Sequence, residues 1–228
     1  MSRVAISWDL DFIHYDAARY PFAAWLAEQI EVEGIACPSL DRLHEAMPVE
    51  AVAPLVRQLG RATQTPEFRQ IYFAFVRDVL QPLVGREVAL QRFVNVRILV
   101  PDRPEMCVPF HTDAWYGHGS DERNLWLPLV PVWGSNGLQV VDRETSEQLV
   151  GEAIRRRLRV DEMHATFLPA SRPVTAGSGQ ALLFTPHHLH GALTNTTGRT
   201  RVSIDFRLAV AGGRLGRKLI GGYFSLLD

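Results

Sequence analysis

Three stretches of this chain repeat with a period of two, and in each the two faces differ in chemistry. In FVNVRILVP, Val94, Val96, Ile98 and Val100 share one face, and Asn95, Arg97 and Leu99 the other. NLWLPLVPV sets Leu125, Leu127 and Leu129 against Asn124, Trp126 and Pro128. RVSIDFRL sets Val202, Ile204, Phe206 and Leu208 against Arg201, Ser203, Asp205 and Arg207. Such alternation marks β-strands, whose successive side chains point to opposite sides. The aliphatic faces need a cover. The opposite faces suit either solvent or the lining of a site, although solvent faces favour Lys, Glu and Thr over Asn, Trp and Ser. If the strands curl into a barrel or a two-sheet jelly roll, the polar faces converge on an interior cavity.

The cover lies upstream, where residues 16–86 carry a helical period. PFAAWLAEQIEVEG spaces Phe22, Trp25, Leu26 and Ile30 along one helix face, with Gly34 as the stop. VEAVAPLVRQLG predicts a second helix with Pro54 in its first turn or kinking it. PEFRQIYFAFVRDVLQPLVG predicts a third, opening on Pro66 and closing between Pro82 and Gly85. Period two then runs, with few breaks, to about residue 208. The expected fold class is mainly β with α: one domain over 1–228, with a helical buttress at 16–86, a β core at 87–210 and a C-terminal extension at 211–228.

A net charge of −1 over 228 residues argues against a nucleic-acid surface, which needs clustered Lys and Arg. The densest basic run, RRRLR at 155–159, reads as a solvated helix face. Cys37 and Cys107 stand 70 residues apart and form no ligand spacing. No stretch has the composition of a leader or the length of a membrane span, so a cytoplasmic protein with a small-molecule partner is expected, as monomer or homodimer.

Two short motifs offer metal ligands. PFHTDAW places His111 and Asp113 two apart, on one side of an extended segment. One imidazole and one carboxylate are two of the three ligands of a non-haem iron facial triad. A second such pair, His14 and Asp16, precedes the first helix and reads as incidental, with Asp16 as a helix cap. A triad needs another histidine on a neighbouring strand, and a bound 2-oxo acid needs an arginine to clamp its far carboxylate. The segment FTPHHLHGALTNTTGRTRVS supplies His187, His188 and His190, followed by Arg201 and Ser203 on one strand face.

The order His-x-Asp, a distal His-Gly, and Arg-x-Ser eleven residues after that histidine resembles the Fe(II)/2-oxoglutarate-dependent oxygenases. Within them it is similar to the phytanoyl-CoA-hydroxylase-like branch. HTDAWYGHGSDERNLWLPLVPVWGSNGLQVV is also similar to oxygenases of streptomycin-type aminoglycoside and carbohydrate clusters. The chain departs from the phytanoyl-type pattern after Leu138, where VVDRETSEQL stands in place of a Pro-Gly-Ser-His turn. The resemblance implies a double-stranded β-helix, jelly-roll or cupin-like, with N-terminal helices on the major sheet. It assigns His111, Asp113 and His190 to iron and to catalysis, and Arg201 with Ser203 to 2-oxoglutarate. Asn95 and Asn124 are expected at the cofactor's other end or as internal hydrogen-bond fixtures, and Arg97 at substrate or paired with Asp205. O2 is the co-substrate, with ascorbate as an optional stimulant. Because Asp113 is present, halogenation, which in related enzymes needs a small residue there, is not expected.

The loop AWYGHGSDER brings Trp115, Tyr116 and His118 after Asp113, a composition suited to covering a polar ligand. Trp126 and His188 are further substrate candidates, and Tyr223 could fold back over the cavity. The expected reaction is hydroxylation or oxidative cyclisation of a sugar or aminocyclitol moiety, such as an aminoglycoside. Two other classes remain: a cupin-type metal enzyme that does not use 2-oxoglutarate, and a non-catalytic sugar-binding jelly roll. The first places its histidines as His-x-His with a later Glu; His188 and His190 match that spacing, but no suitable Glu follows.

Overall fold

The computed structural model describes residues 10–84 and 87–227, so the helix end expected near Gly85 lies outside the described residues. The buttress forms as its periodicity predicts. Helix α1 (Phe22–Val32) buries Phe22, Trp25, Leu26 and Ile30, and the chain turns away at Gly34 with φ +80°. Helix α2 (Val52–Ala62) carries Pro54 in its first turn, where the missing N–H costs no helical bond. Helix α3 (Pro66–Phe75) opens on Pro66 and continues through a wider π-type turn, Val76–Leu80. Its Tyr72 and Phe75 rings pack edge-on against Phe206 at 4.8 and 6.4 Å, bringing the helices onto the aliphatic side of the sheet.

The major sheet has the order β1 (Leu10–His14), β7 (Gln180–Phe184), β4 (Glu122–Pro128), β9 (Arg201–Val210), β2 (Val88–Gln91), β10 (Phe224–Leu226), with β3 (Asn95–Leu99) also paired to β9. Strand β9 is the axis. Opposite β3 its register sets Asp205 against Asn95, Ser203 against Arg97 and Arg201 against Leu99. Opposite β4 it sets Arg207 against Asn124, Asp205 against Trp126 and Ser203 against Pro128. The three polar faces predicted separately therefore form one surface. A smaller sheet of β6 (Arg172–Pro173), β5 (Gln139–Val140) and β8 (His190–Gly191) closes the space above it.

Three expectations need correction. His14 and Asp16 do not simply precede a helix: His14 ends strand β1, which pairs with β7, and Asp16 caps a turn, accepting from the Ala18 and Arg19 amides. The period-two region is interrupted by helices α4 (Arg143–Arg156) and α5 (Val160–Phe167) between β5 and β6. These fill the stretch where VVDRETSEQL replaced the expected turn; Asp142 caps α4 through the Thr145 amide at 2.9 Å. Ala153 and Phe167 from the two helices pack on Phe110, Val141 and Leu189, a cluster separate from the main core. RRRLR ends α4 at the solvent, as read, with Arg156 paired to Glu152. Finally, the C-terminal extension is part of the sheet, since Phe224 is fully buried where β10 pairs with β2. No described helix is long and apolar enough to cross a membrane.

Candidate metal centre and ligand cleft

An isolated backbone bridge joins His111 to His190 of the smaller sheet, each donating its N–H to the other's carbonyl at 3.0 Å. That pairing sets the two imidazoles side by side, with ring centroids 4.3 Å apart. Gly191 is needed for the approach, because a Cβ there would lie 3.0 Å from the Phe110 amide nitrogen. Each ring binds a backbone carbonyl through Nδ1: His111 that of Pro109 at 2.8 Å, and His190 that of His188 at 3.0 Å. Such bonds leave both Nε2 atoms as acceptors and fix the ring orientation a metal needs.

Asp113 opens a short turn, Asp113–Tyr116, just beyond the bridge. Its Oδ1 lies 3.6 Å from His111 Nε2 and 3.9 Å from His190 Nε2, and the three ligand atoms fall within 4.8 Å of one another. Its Oδ2 accepts from Arg207 twice, from Nε at 3.0 Å and Nη2 at 2.6 Å. Burial alone would raise the Asp113 pKa; the adjacent His111 and His190 rings and the Arg207 guanidinium outweigh it and hold the carboxyl far below the usual range. His190 moves the other way, down to about 4, chiefly through burial. A carboxylate and two imidazoles whose Nε2 atoms lie beside it are the donor set of a facial triad.

Below the triad a narrow chamber of about 50 Å³ runs between the sheets, lined by Asn124, Trp126, Leu138, Phe184, Arg201 and Asp205 among others. Arg201 is 5% exposed, and burial pulls its guanidinium down to about 10. Its Nη1 donates to the Asn136 carbonyl at 3.2 Å, while Nε has no protein partner. Ser203 Oγ and both side-chain heteroatoms of Asn124 are likewise buried without a protein partner among the described residues. A buried cation without a carboxylate, surrounded by unmet polar groups, is costly unless an anionic ligand completes it.

The chain matches no family model. Streptomycin biosynthesis protein StrG of Streptomyces griseus is 28% identical over 186 residues, covering 75% of this chain and 78% of that protein. EctD from S. alaskensis, solved with 2-oxoglutarate and 5-hydroxyectoine, superposes with a TM-score of 0.59 at 16% identity, over 94% of this chain and 78% of its own. The non-haem α-ketoglutarate-dependent carbocyclase SnoK from nogalamycin biosynthesis gives 0.57 at 15%, over 100% and 97%. HygX from Streptomyces hygroscopicus, with nickel and 2-oxoglutarate bound, gives 0.53 at 14%, over 92% and 87%. The fold is that of the non-haem Fe(II)/2-oxoglutarate oxygenases.

Within this oxygenase fold the expected residues divide into three groups. His111, Asp113 and His190 meet as a set that could hold a metal, Arg201 and Asn124 line the chamber beneath, and Ser203 lies two residues along β9 from Arg201 with its hydroxyl buried. Above the triad, Trp115, Tyr116, His118 and Arg97 line a wider cleft of about 620 Å³, together with Met163, Lys218 and Tyr223. Other assignments shift. Asn95 is a fixture, donating to Asp205 at 2.7 Å, as one of its two expected roles allowed. Trp126 is only 3% exposed and lines the inner chamber rather than the cleft. His188 is fully buried, its Nδ1 bound to Thr185 Oγ1 at 2.9 Å, so it holds the turn before β8 and lines neither cavity. His118 reaches the cleft, but its Nδ1 is engaged by the buried Glu122, whose Oε1 accepts from the Gly119 and Gly216 amides.

Arg207 was missed as a site residue. Besides Asp113 it binds Asp205 at 2.9 Å, and Asp205 in turn takes Arg97 Nε at 3.0 Å. The signal was present: Arg207 continues the Arg201, Ser203, Asp205 face by one more strand repeat.

Proposed function

We propose that this chain is an Fe(II)/2-oxoglutarate-dependent oxygenase that oxidises a C–H bond of a small polar natural-product molecule, by hydroxylation or oxidative cyclisation. The observation that carries the reading is Arg201, a buried cation with no carboxylate in ion-pair distance among the described residues, lining the same chamber as His111 and His190. The relationship to StrG supports a sugar or aminocyclitol moiety as the substrate class. In this reading the protein acts as a single cytoplasmic domain.

Iron and 2-oxoglutarate, when bound, supply the activation of O2 and the oxidising power that removes a substrate hydrogen. His111, Asp113 and His190 would hold the metal on one side, keeping the opposite side open toward the cleft. Arg201 would clamp the far carboxylate of 2-oxoglutarate, with Ser203 Oγ donating to the same group. Asn124, further along the chamber, would meet the cofactor nearer the metal. The dicarboxylate would extend from the metal toward Arg201 in the narrow chamber, and a ring substrate would lie in the wider cleft against Trp115 and Tyr116. Arg207 keeps Asp113 ionised and in place.

Anaerobic addition of Fe(II) and 2-oxoglutarate should give a weak visible charge-transfer band. That band disappears in His111→Ala, and aerobic incubation with substrate releases succinate. No band in the wild-type protein overturns the reading.

A further inference from the structure

The cleft above the triad has a charge balance that narrows the substrate further, and this step rests on the cleft being the substrate's entrance to that centre. Arg97, Arg207 and Lys218 are the side chains with permanent positive charge lining it. The carboxylates within reach are already taken. Asp113 is held by Arg207 and belongs to the metal set; Asp205, beneath, is shared by Arg97 and Arg207. Helix α5 contributes Val160 and Met163 to the lining, but its Asp161 bonds Arg159 Nη2 and its Glu162 caps the Arg159 amide.

Two of the cations keep donors available. Arg97 is 44% exposed at its side chain and uses Nε on Asp205, so its two Nη groups have no protein partner among the described residues. Lys218 is the sole lysine of the sequence. Its ammonium lies 5.1 Å from the Tyr223 ring centroid and has no carboxylate within ion-pair distance among the described residues. The backbone beside it is fixed, because the Arg217 amide donates to the Gly117 carbonyl at 2.7 Å. The same cleft is lined by Trp115 and Tyr116, residues that are 42% and 63% exposed.

We propose that the cleft binds a sugar-like substrate through an anionic substituent, a phosphate ester or a carboxylate, gripped by Arg97 and Lys218. A guanidinium edge and an ammonium together match the oxygens of such a group, and the aromatic faces take the ring's C–H surface. A polycationic amino sugar finds no unengaged carboxylate among the described lining residues, so an anionic sugar rather than a free aminoglycoside is the proposed bound form.

The single lysine provides the test. Acetylation of Lys218 is followed by mass spectrometry of its peptide, with glucose 6-phosphate, glucuronate, glucose or kanamycin present. The measurement is made on the metal-free protein and again with Ni(II) and 2-oxoglutarate. One or both anionic sugars should slow labelling about fivefold or more in both forms, and which one does so separates phosphate from carboxylate. Glucose and kanamycin should leave the rate unchanged. In Arg97→Gln the protection should weaken about tenfold in ligand concentration. Quenching of tryptophan fluorescence by the same sugars should weaken similarly in Lys218→Gln. Absence of protection by both anionic sugars overturns the proposal. So does equal protection by glucose or kanamycin, protection lost once 2-oxoglutarate is bound, or protection unchanged in Arg97→Gln. The metal-free measurement needs no turnover, so its failure leaves the charge-transfer test of the oxygenase reading intact.

Discussion

Arg207 holds Asp113 by one oxygen only: Nε and Nη2 both reach Oδ2, and Oδ1 is left facing the two histidine Nε2 atoms. The arrangement presents a single carboxylate oxygen to a metal and keeps the other from competing. In Arg207→Gln the carboxylate loses its charge partner and its orientation, so metal affinity should fall about 10–100-fold. Arg207→Lys should recover only part of it, since an ammonium cannot reproduce the two-nitrogen grip. Titration with Ni(II), read by calorimetry, checks both; wild-type affinity in Arg207→Gln would remove the clamp from the account.

Arg201 should govern the co-substrate rather than the metal. Arg201→Ala removes the cation at the foot of the chamber, and 2-oxoglutarate binding should weaken by about 2–4 kcal/mol, with Ni(II) affinity unchanged. Comparing the two ligands by calorimetry on one variant separates these effects. Ser203→Ala should show a smaller loss of the same kind, about 1 kcal/mol.

Acid should destabilise the metal-free protein in a defined window. The unfolded chain protonates position 190 near the ordinary histidine value of about 6.5. The folded protein does so only near 4, because burial opposes the charge. Between these values the unfolded state binds more protons, so stability rises with pH and is lost on acidification, by up to about 3 kcal/mol. Asp113 acts in the same direction at lower pH, since its folded carboxyl titrates far below the unfolded one. Urea midpoints at pH 7.5 and 5 should diverge in the wild type and converge in His190→Gln. Equal divergence in that variant would place the acid sensitivity elsewhere.

Gly191→Ala should damage the site without touching a ligand atom. Its Cβ would press on Phe110 Cα at 3.1 Å and the Val108 carbonyl oxygen at 3.2 Å, forcing β8 away from the segment that carries His111. A stability loss of about 1–3 kcal/mol is expected, with a parallel fall in Ni(II) affinity. Thermal unfolding with and without Ni(II) reads both.

Core support can be checked under the chamber, which Phe206 also lines. Phe206 is fully buried between β9 and the Tyr72 and Phe75 rings. Phe206→Ala should cost about 3–5 kcal/mol, measured by urea denaturation.

How much of this was written in the sequence differs by element. The polar row Arg201, Ser203, Asp205 and Arg207 could be read because β9 is long enough for alternation to show. Strands β5, β6 and β8 are two residues each, too short for any period, so the minor sheet could be inferred only through resemblance. Helix α4 was obscure because its buried residues are only Ser146 and Ala153, which leave little apolar stripe. His188 was misplaced because spacing in sequence cannot tell a side chain at a strand end from one folded under the turn. Arg207 was visible as a face member, but which arginine meets Asp113 depends on how the His-x-Asp turn crosses the sheet, and that is a tertiary fact.

Lys218 and Tyr223 belong to residues 211–226, which follow β9 and return to the major sheet as β10. The residues proposed to hold iron and 2-oxoglutarate all precede that segment. One side of the cleft therefore comes from a segment that carries none of those residues, tied to the rest of the fold through the β10–β2 pairing, the Arg217–Gly117 backbone bond and Glu122. Exchanging this tail with that of a related enzyme would be a compact way to redirect which molecule is oxidised while the oxidant itself stays the same.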